Sequence, residues 1–458
     1  MGPLIRDNVQ SLLLGASLHP ITRHLLFQVK TKETGRQFLS DLLPSVSSGD
    51  PAALGTAPLL NISLSWNGLL ALGAFDAMGG EAAAADAFYL FNQPPLAESL
   101  RAFGASAPAN WWNKRFESTD IHIIVHVSVS DEDDLRDVTT RVSAAAQRAE
   151  LRELVTSANG EPITGRAVDG FRLHFGYRDG ISHAPVDWDH DVPTGGALPR
   201  GDFVLGYPSP NYSTYPDKPP FSDFARDGSL MAFMVLYQDV AGFNRFLREN
   251  APKLAPTLPQ ADAEEYLAAK MMGRWRDGTP LAISPERADG TEALRDDFGY
   301  ADDPHGIKCP LAAHIRVANA RDQPLNSVNQ RLFPGGYPRI LRRGMPYGPL
   351  LTGEQDDGVD RGLVGMFLCA NLNKQFYTIM RWLGRTDFSP VFPDQVGQDP
   401  LLGNGSFPGA SSDFSIASAD GTSTTLTRVT DFVRIRGVAL QLLPSLAALR
   451  KVAAPGQA

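Results

Sequence analysis

Cysteine is scarce in this sequence, with Cys309 and Cys369 the only two among 458 residues. Two thiols cannot build a multi-bridge disulfide scaffold, and they suit a reducing compartment, where free cysteine behaves as a small buried apolar group. Net positive charge is missing too: 42 Lys and Arg against 51 Asp and Glu leave −9. No global positive field draws the chain to phosphate backbones or anionic lipid, so neither nucleic acid nor a membrane is an expected partner. No apolar run reaches the roughly 20 residues of a membrane helix. The opening MGPLIRDNVQSLLLGASLHP lacks the charged region, long apolar core and cleavage site of a secretory signal, and Arg6 stands where myristoylation wants Ser or Thr. A soluble, cytoplasmic protein is therefore expected. HExxH, the GxSxG elbow, the phosphate-binding GxxxxGK loop and a GxGxxG after a strand are all lacking, which removes the signatures of zinc proteases, serine hydrolases, NTPases and Rossmann enzymes.

What the sequence does contain is an alternation of strands and helices. HLLFQV (24–29) reads as a strand followed by a helix over GRQFLSDLL, where Phe38, Leu39, Leu42 and Leu43 recur at helical spacing. LNISLSW (60–66) and IHIIVHVSVS (121–130) read as strands, and Ser130 with Asp133 offers a capping box for a helix carrying Leu135, Val138 and Val142. The theme returns in SLMAFMVLYQDV (229–240), AGFNRFLREN, GLVGMFLCANL (362–372), NKQFYTIMRWL and DFVRIRGVALQLLP (431–444). This pattern predicts two similar α+β halves, residues 1–205 and 229–458, joined by a Pro-rich linker over 206–228. Residues 332–358 show no regular period, and the Ser/Thr/Gly stretch 402–425 reads as a solvated excursion.

Two stretches carry candidate chemistry. FGYRDGIS (175–182) sets Arg178 and Asp179 between Gly176 and Gly180, and CPLAAHIRVANARD (309–322) places His314 near Arg316, Asn319, Arg321 and Asp322. Taken alone, an Asp-Gly pair is a turn whose carboxylate bonds its own backbone, and a lone histidine beside arginines is a structural residue. His122 and His126 lie about 13 Å apart on one strand face, too far to share a metal, and His24, His174, His183, His190 and His305 have no ligand spacing around them.

The G-x-x-D-G of FGYRDGIS resembles the distal motif of the dye-decolorising peroxidases. It is followed in that family's order by GDFVLGYP, GSLMAFMVLYQDVAGFNRFL, MMGRWRDGTPL, CPLAAHIRVANARD, RILRRGMPYG, RGLVGMFLCANLNKQF and VTDFVRIRGVALQLLPSL, which together span most of residues 120–446. Ala320 departs from the proline common at that point of the family pattern. The resemblance implies two ferredoxin-like α+β halves with antiparallel sheets, of the dimeric α+β barrel type, enclosing one haem b per chain. It implies His314 as the iron ligand, Asp179 as distal acid/base and Arg342, rather than Arg343, as distal arginine. Gly180, Ile181, Ser182, Arg316 and Phe367 are expected at the cofactor, with Asp431 as the carboxylate that orients His314. Hydrogen peroxide and aromatic donors such as phenols and dyes are the implied partners. A haem carrier of the same fold is the alternative; it needs the ligand but neither Asp179 nor Arg342. The sequence does not choose between a monomer and a homodimer.

The residue types suit that chemistry. An unperturbed aspartate, with a pKa of about 3.9, stays a base where a histidine of about 6.5 is mostly protonated, so activity on the acid side is expected. A permanently charged guanidinium can stabilise negative charge developing on a departing oxygen.

Overall fold

The computed structural model describes residues 4–15, 19–49, 57–155, 157, 159–213, 216–392, 397–407, 409–429 and 431–454. Eight strands carry the architecture: β1 Ile21–Gln28, β2 Leu59–Leu64, β3 Ile123–Val129, β4 Ile163–Arg166, β5 Ser229–Gln238, β6 Leu341–Tyr347, β7 Gly362–Cys369 and β8 Val433–Leu443. Their hydrogen-bonded order is β4-β1-β3-β2 in the first half and β6-β7-β5-β8 in the second. Counted within each half, this is the same 4-1-3-2 order read in opposite directions, the antiparallel arrangement of a ferredoxin-like βαββαβ unit. The second strand of each half meets the fourth of the other: Leu64 of β2 pairs with Leu442 of β8, and Gly165 of β4 with Tyr347 of β6. The two half-sheets thus close into one barrel through two narrow seams.

Helices pack outside this barrel: α1 Lys32–Leu42, α2 Glu132–Arg148, α3 Val240–Leu254, α4 His314–Ala318 and α5 Thr378–Leu383. β3 and β5 are buried on both faces, one against helices and one against the barrel interior, which is why they read as almost continuous apolar runs. Phe27 of β1 meets Phe38 of α1 with ring centroids 5.1 Å apart. Inside the barrel, Phe233 of β5 packs edge-on to His24 of β1, and His24 Nδ1 lies 3.0 Å from His126 Nδ1 of β3. His126 Nε2 continues to Ser63 Oγ at 2.9 Å, and Ser63 Oγ donates to Gln441 Oε1 at 3.2 Å. The histidines that looked unremarkable one by one are the polar centre of the barrel.

Several local expectations change. The cap of α2 is Asp131, whose carboxylate accepts from the Asp133 and Asp134 N–H groups, rather than Ser130. Residues 332–358, expected to be irregular, contain β6. The 402–425 excursion contains a hairpin, Phe414–Ala417 with Ser423–Leu426, that buries Phe414, Ile416 and Leu426. Residues 206–228 carry a short helix, Phe221–Ala225, and bury Tyr207, Phe221 and Phe224 against the first half. Among the described residues no helix is long and apolar enough to cross a membrane.

Candidate active site

A cavity of about 280 Å³ lies against the outer face of the second half-sheet. Met234, Leu236 and Gln238 of β5 and Leu363 and Phe367 of β7 floor it, alternating with residues such as Phe233 that face the barrel interior. Ile379, Met380 and Leu383 of α5 and His314, Ile315 and Ala318 of α4 wall it. The chain leaving β4 supplies the loop 173–184 as a further wall, so both halves contribute to the site.

In that loop Gly176 and Gly180 have φ of +88° and +73°, left-handed values that an L side chain adopts at a cost. A Cβ on Gly176 would also sit 3.0 Å from Arg276 Cδ. Between the glycines the backbone is pinned: Arg178 N donates to Arg276 O at 3.0 Å and Asp179 N to Phe171 O at 2.9 Å. Asp179 lines the cavity, and its carboxylate takes no hydrogen bond from a described residue. It is therefore held by its backbone and left free at its oxygens, unlike the aspartate of a self-bonded Asp-Gly turn.

Arg342 reaches the cavity from β6, opposite Phe367 in the β6–β7 register, and donates to Ser182 O at 3.2 Å. The next residue points the other way. Arg343 is buried and spends its guanidinium on Leu12 O, Leu13 O and Arg342 O at 3.1, 3.0 and 3.0 Å. Burial pushes its proton affinity down to about 10. Arg343 also borders the cavity, but its guanidinium is spent on structure, whereas that of Arg342 is left to the cavity.

His314 stands at the start of α4, and its Nδ1 lies 2.9 Å from Asp399 Oδ2. A carboxylate can only accept, so Nδ1 carries a proton and Nε2 is the nitrogen left to face a metal. Asp399 is fully buried, and its other oxygen accepts the Leu401 and Leu402 N–H groups at 2.8 and 2.9 Å. The carboxylate on His314 is thus Asp399 and not Asp431. Asp431 accepts the Gly405 N–H at 3.0 Å and lies outside this cavity. Asp399 escaped the sequence reading because it sits in an irregular loop 85 residues beyond the histidine. The local signal was an Asp followed by backbone donors two and three residues on.

Arg316 is the second correction. It is fully buried and away from the cavity, where its guanidinium bonds Asp303, Gln323 and the Asp303 carbonyl at 2.9, 2.6 and 2.7 Å and stacks over Tyr300. Five residues later, beyond the end of α4, Arg321 does line the cavity. It shares Asp296 with Arg274 and with Ser182, whose Oγ donates to Asp296 Oδ1 at 2.6 Å. Arg339 completes the group, its proton affinity pushed down to about 10 by burial and then by Arg321. Three guanidiniums around the single carboxylate of Asp296 leave an excess of positive charge at one side of an otherwise apolar cavity.

No family model matches the sequence. The dye-decolorizing peroxidase AauDyP1 of Auricularia auricula-judae is 30% identical over 389 residues, which cover 80% of this chain and 70% of that protein. This chain belongs to the dye-decolorizing peroxidase family. Dye-decolorizing peroxidase msp1 of Mycetinis scorodonius is 28% identical over 447 residues, 90% of this chain and 80% of its own. Among solved structures, a dye-decolorizing peroxidase in complex with 2,6-dimethoxyphenol has a TM-score of 0.79 at 25% identity, covering 98% of this chain and all of that one. An ancestral D-type dye-decolorizing peroxidase has a TM-score of 0.79 at 26% identity over 99% of this chain. Dye-decolorizing peroxidases are haem-dependent oxidoreductases that use peroxide. The residues present fit that cofactor: an imidazole fixed through Nδ1, apolar walls, and arginines placed for its two carboxylates.

Proposed function

We propose that this protein is a haem b peroxidase that reduces hydrogen peroxide and oxidises phenols and dyes, with Asp179 as acid/base and Arg342 as electrostatic partner. The observation that carries the reading is the Asp399–His314 hydrogen bond at the wall of the same cavity that Asp179 and Arg342 line. His314 would hold the iron through Nε2, and Arg274, Arg321 and Arg339 would meet the propionates. Neither Cys309 nor Cys369 lines the cavity, and both are free and buried, which supports a non-covalent haem. Haem bound here supplies the iron and electrons for reductive cleavage of the peroxide O–O bond.

The chain's own residues supply the proton and the field. Asp179, with both carboxylate oxygens free, takes a proton from the inner peroxide oxygen and returns it to the outer one, so that water departs. Arg342 faces the same space with a permanent charge and stabilises the negative charge that grows on the departing oxygen. Its bond to Ser182 O ties that guanidinium to the loop carrying Asp179, so the two groups are positioned together. Asp399 keeps the Nδ1 proton on His314 and makes the ring a stronger donor to iron.

The test is haem stoichiometry and peroxide kinetics on three proteins. Wild type should carry one haem per chain, and His314→Ala should lose most of it. Asp179→Asn should keep the haem while its reaction with peroxide slows by roughly a hundredfold or more. Full haem retention with the native ferric spectrum in His314→Ala, or native peroxide kinetics in Asp179→Asn, would overturn the corresponding assignment.

A further inference from the structure

Beside the main cavity lies a recess of about 10 Å³ that shares Met380, Leu402 and Val433 with it and is also lined by Arg101, Gly384, Asn404 and Asp431. Arg101 is unusual in three respects. Its φ is +51°, left-handed for a residue with a side chain, and such conformations persist where the surroundings impose them. Its side chain lies on bare backbone, since a Cβ on Gly384 would sit 2.4 Å from Arg101 Cβ. Its Nε is buried with no hydrogen-bond partner, while its guanidinium stacks 4.7 Å over Phe407.

Two more cations stand beside it: Arg385 follows Gly384, which packs on Arg101, and Arg381 reaches the helical turn that ends at Arg101. Arg381 donates to Ser99 Oγ at 3.3 Å and to Thr378 Oγ1 at 2.8 Å, and Arg385 donates to the Asp387 carbonyl at 2.9 Å. None of the three is ion-paired with a described carboxylate. Burial first, and then the charge of Arg101, lowers the proton affinity of both Arg381 and Arg385, as expected of cations close enough to repel. The nearby carboxylates are engaged: Asp431 accepts the Gly405 N–H, and Asp387 accepts from Ser389 N and Oγ. On a chain with a net charge of −9, three half-buried arginines that form no ion pair with a described residue make a site for an added anion, with Asp431 and Asp387 the acidic groups nearest to it.

We propose that Arg101, Arg381 and Arg385 bind the carboxylate or sulfonate of an anionic aromatic molecule at the mouth of this recess. Half-buried Phe103 and Phe407, 5.2 Å apart edge to face, border the site for the ring. The recess has room for about one water, so both the ring and the anionic group stay at its mouth, with the anionic group turned toward the arginines. The site's use for electron donors rests on the peroxidase reading above, whereas the binding itself does not.

Equilibrium dialysis of the purified holoprotein, without peroxide, against 1-naphthalenesulfonate and neutral 1-naphthol tests this. Wild type should bind the sulfonate, more weakly at high salt. The triple variant Arg101→Gln, Arg381→Gln, Arg385→Gln should lose about tenfold or more in sulfonate affinity with naphthol binding and haem spectrum unchanged. Arg385→Gln alone should lose part of that affinity and serves if the triple variant fails to fold. Sulfonate affinity unchanged in the folded variants, or abolished in wild type by saturating the haem pocket with cyanide, would place the anion elsewhere and overturn the proposal.

Discussion

Arg342 and Arg343 are consecutive on β6 and serve opposite faces of it: one opens into the cavity, and the other ties Leu12 and Leu13 to the barrel. Their substitutions should therefore fail in different ways. Arg342→Ala is expected to keep the melting temperature while the reaction with peroxide slows about a hundredfold. Arg343→Met leaves the Leu12 and Leu13 carbonyls without a donor and should cost about 1–3 kcal/mol for each one left buried and unpaired. Stopped-flow peroxide kinetics alongside thermal melts would separate the two. Equal kinetic loss in both variants would refute the division.

Asp399 and Asp431 make a second pair for comparison. Asp399→Asn removes the negative charge behind His314, so the ring becomes a poorer donor and the iron reduction potential should rise. Haem affinity should fall about 10–100-fold. Asp431→Asn, which touches only the Gly405 turn, should leave the potential where it was. Spectroelectrochemical titration of both variants decides the matter, and a shift in Asp431→Asn alone would reverse the assignment.

The glycines of the 175–182 loop allow a stability test. Each alanine forced to a φ near +80° costs about 1–2 kcal/mol. Gly176→Ala should be worse than Gly180→Ala because its Cβ meets Arg276, whereas nothing lies within 4 Å of a Cβ on Gly180. Urea denaturation of the two variants should rank them in that order.

Acid should weaken the fold through the barrel histidines. Burial pushes His24 down to about 3 and His126 well below its ordinary value, so both stay neutral in the native state. Below about pH 6.5 the unfolded chain binds protons that the folded chain does not. Stability is thus fully present above that pH and is lost as the pH falls toward about 3, by about 1.4 kcal/mol per unit for each histidine. Melting temperatures across this window should fall more gently in His24→Gln, which can still donate to His126. An identical slope would exclude His24 as a contributor.

The sequence by itself determined the units. Strands buried on both faces, such as 229–238 and 362–369, and amphipathic helices such as 32–42 follow from periodicities of two and 3.6 residues, which are local properties of the chain. The ordered motifs picked out Asp179, His314 and Arg342, which line one cavity from different elements. Tertiary structure decided the rest. Residues 341–347, with a glycine, a proline and two arginines, hold no strand signal, and they become a strand because β7 and β4 stand ready to pair with them. Asp399 meets His314, and His24 meets His126, across chain separations that no local pattern spans. Arg316 and Arg321 look equivalent on paper, yet only Arg321 faces the cavity, because Asp303 claims the other. A polar side chain's role depends on the partner that reaches it, and that partner is set by how distant segments pack.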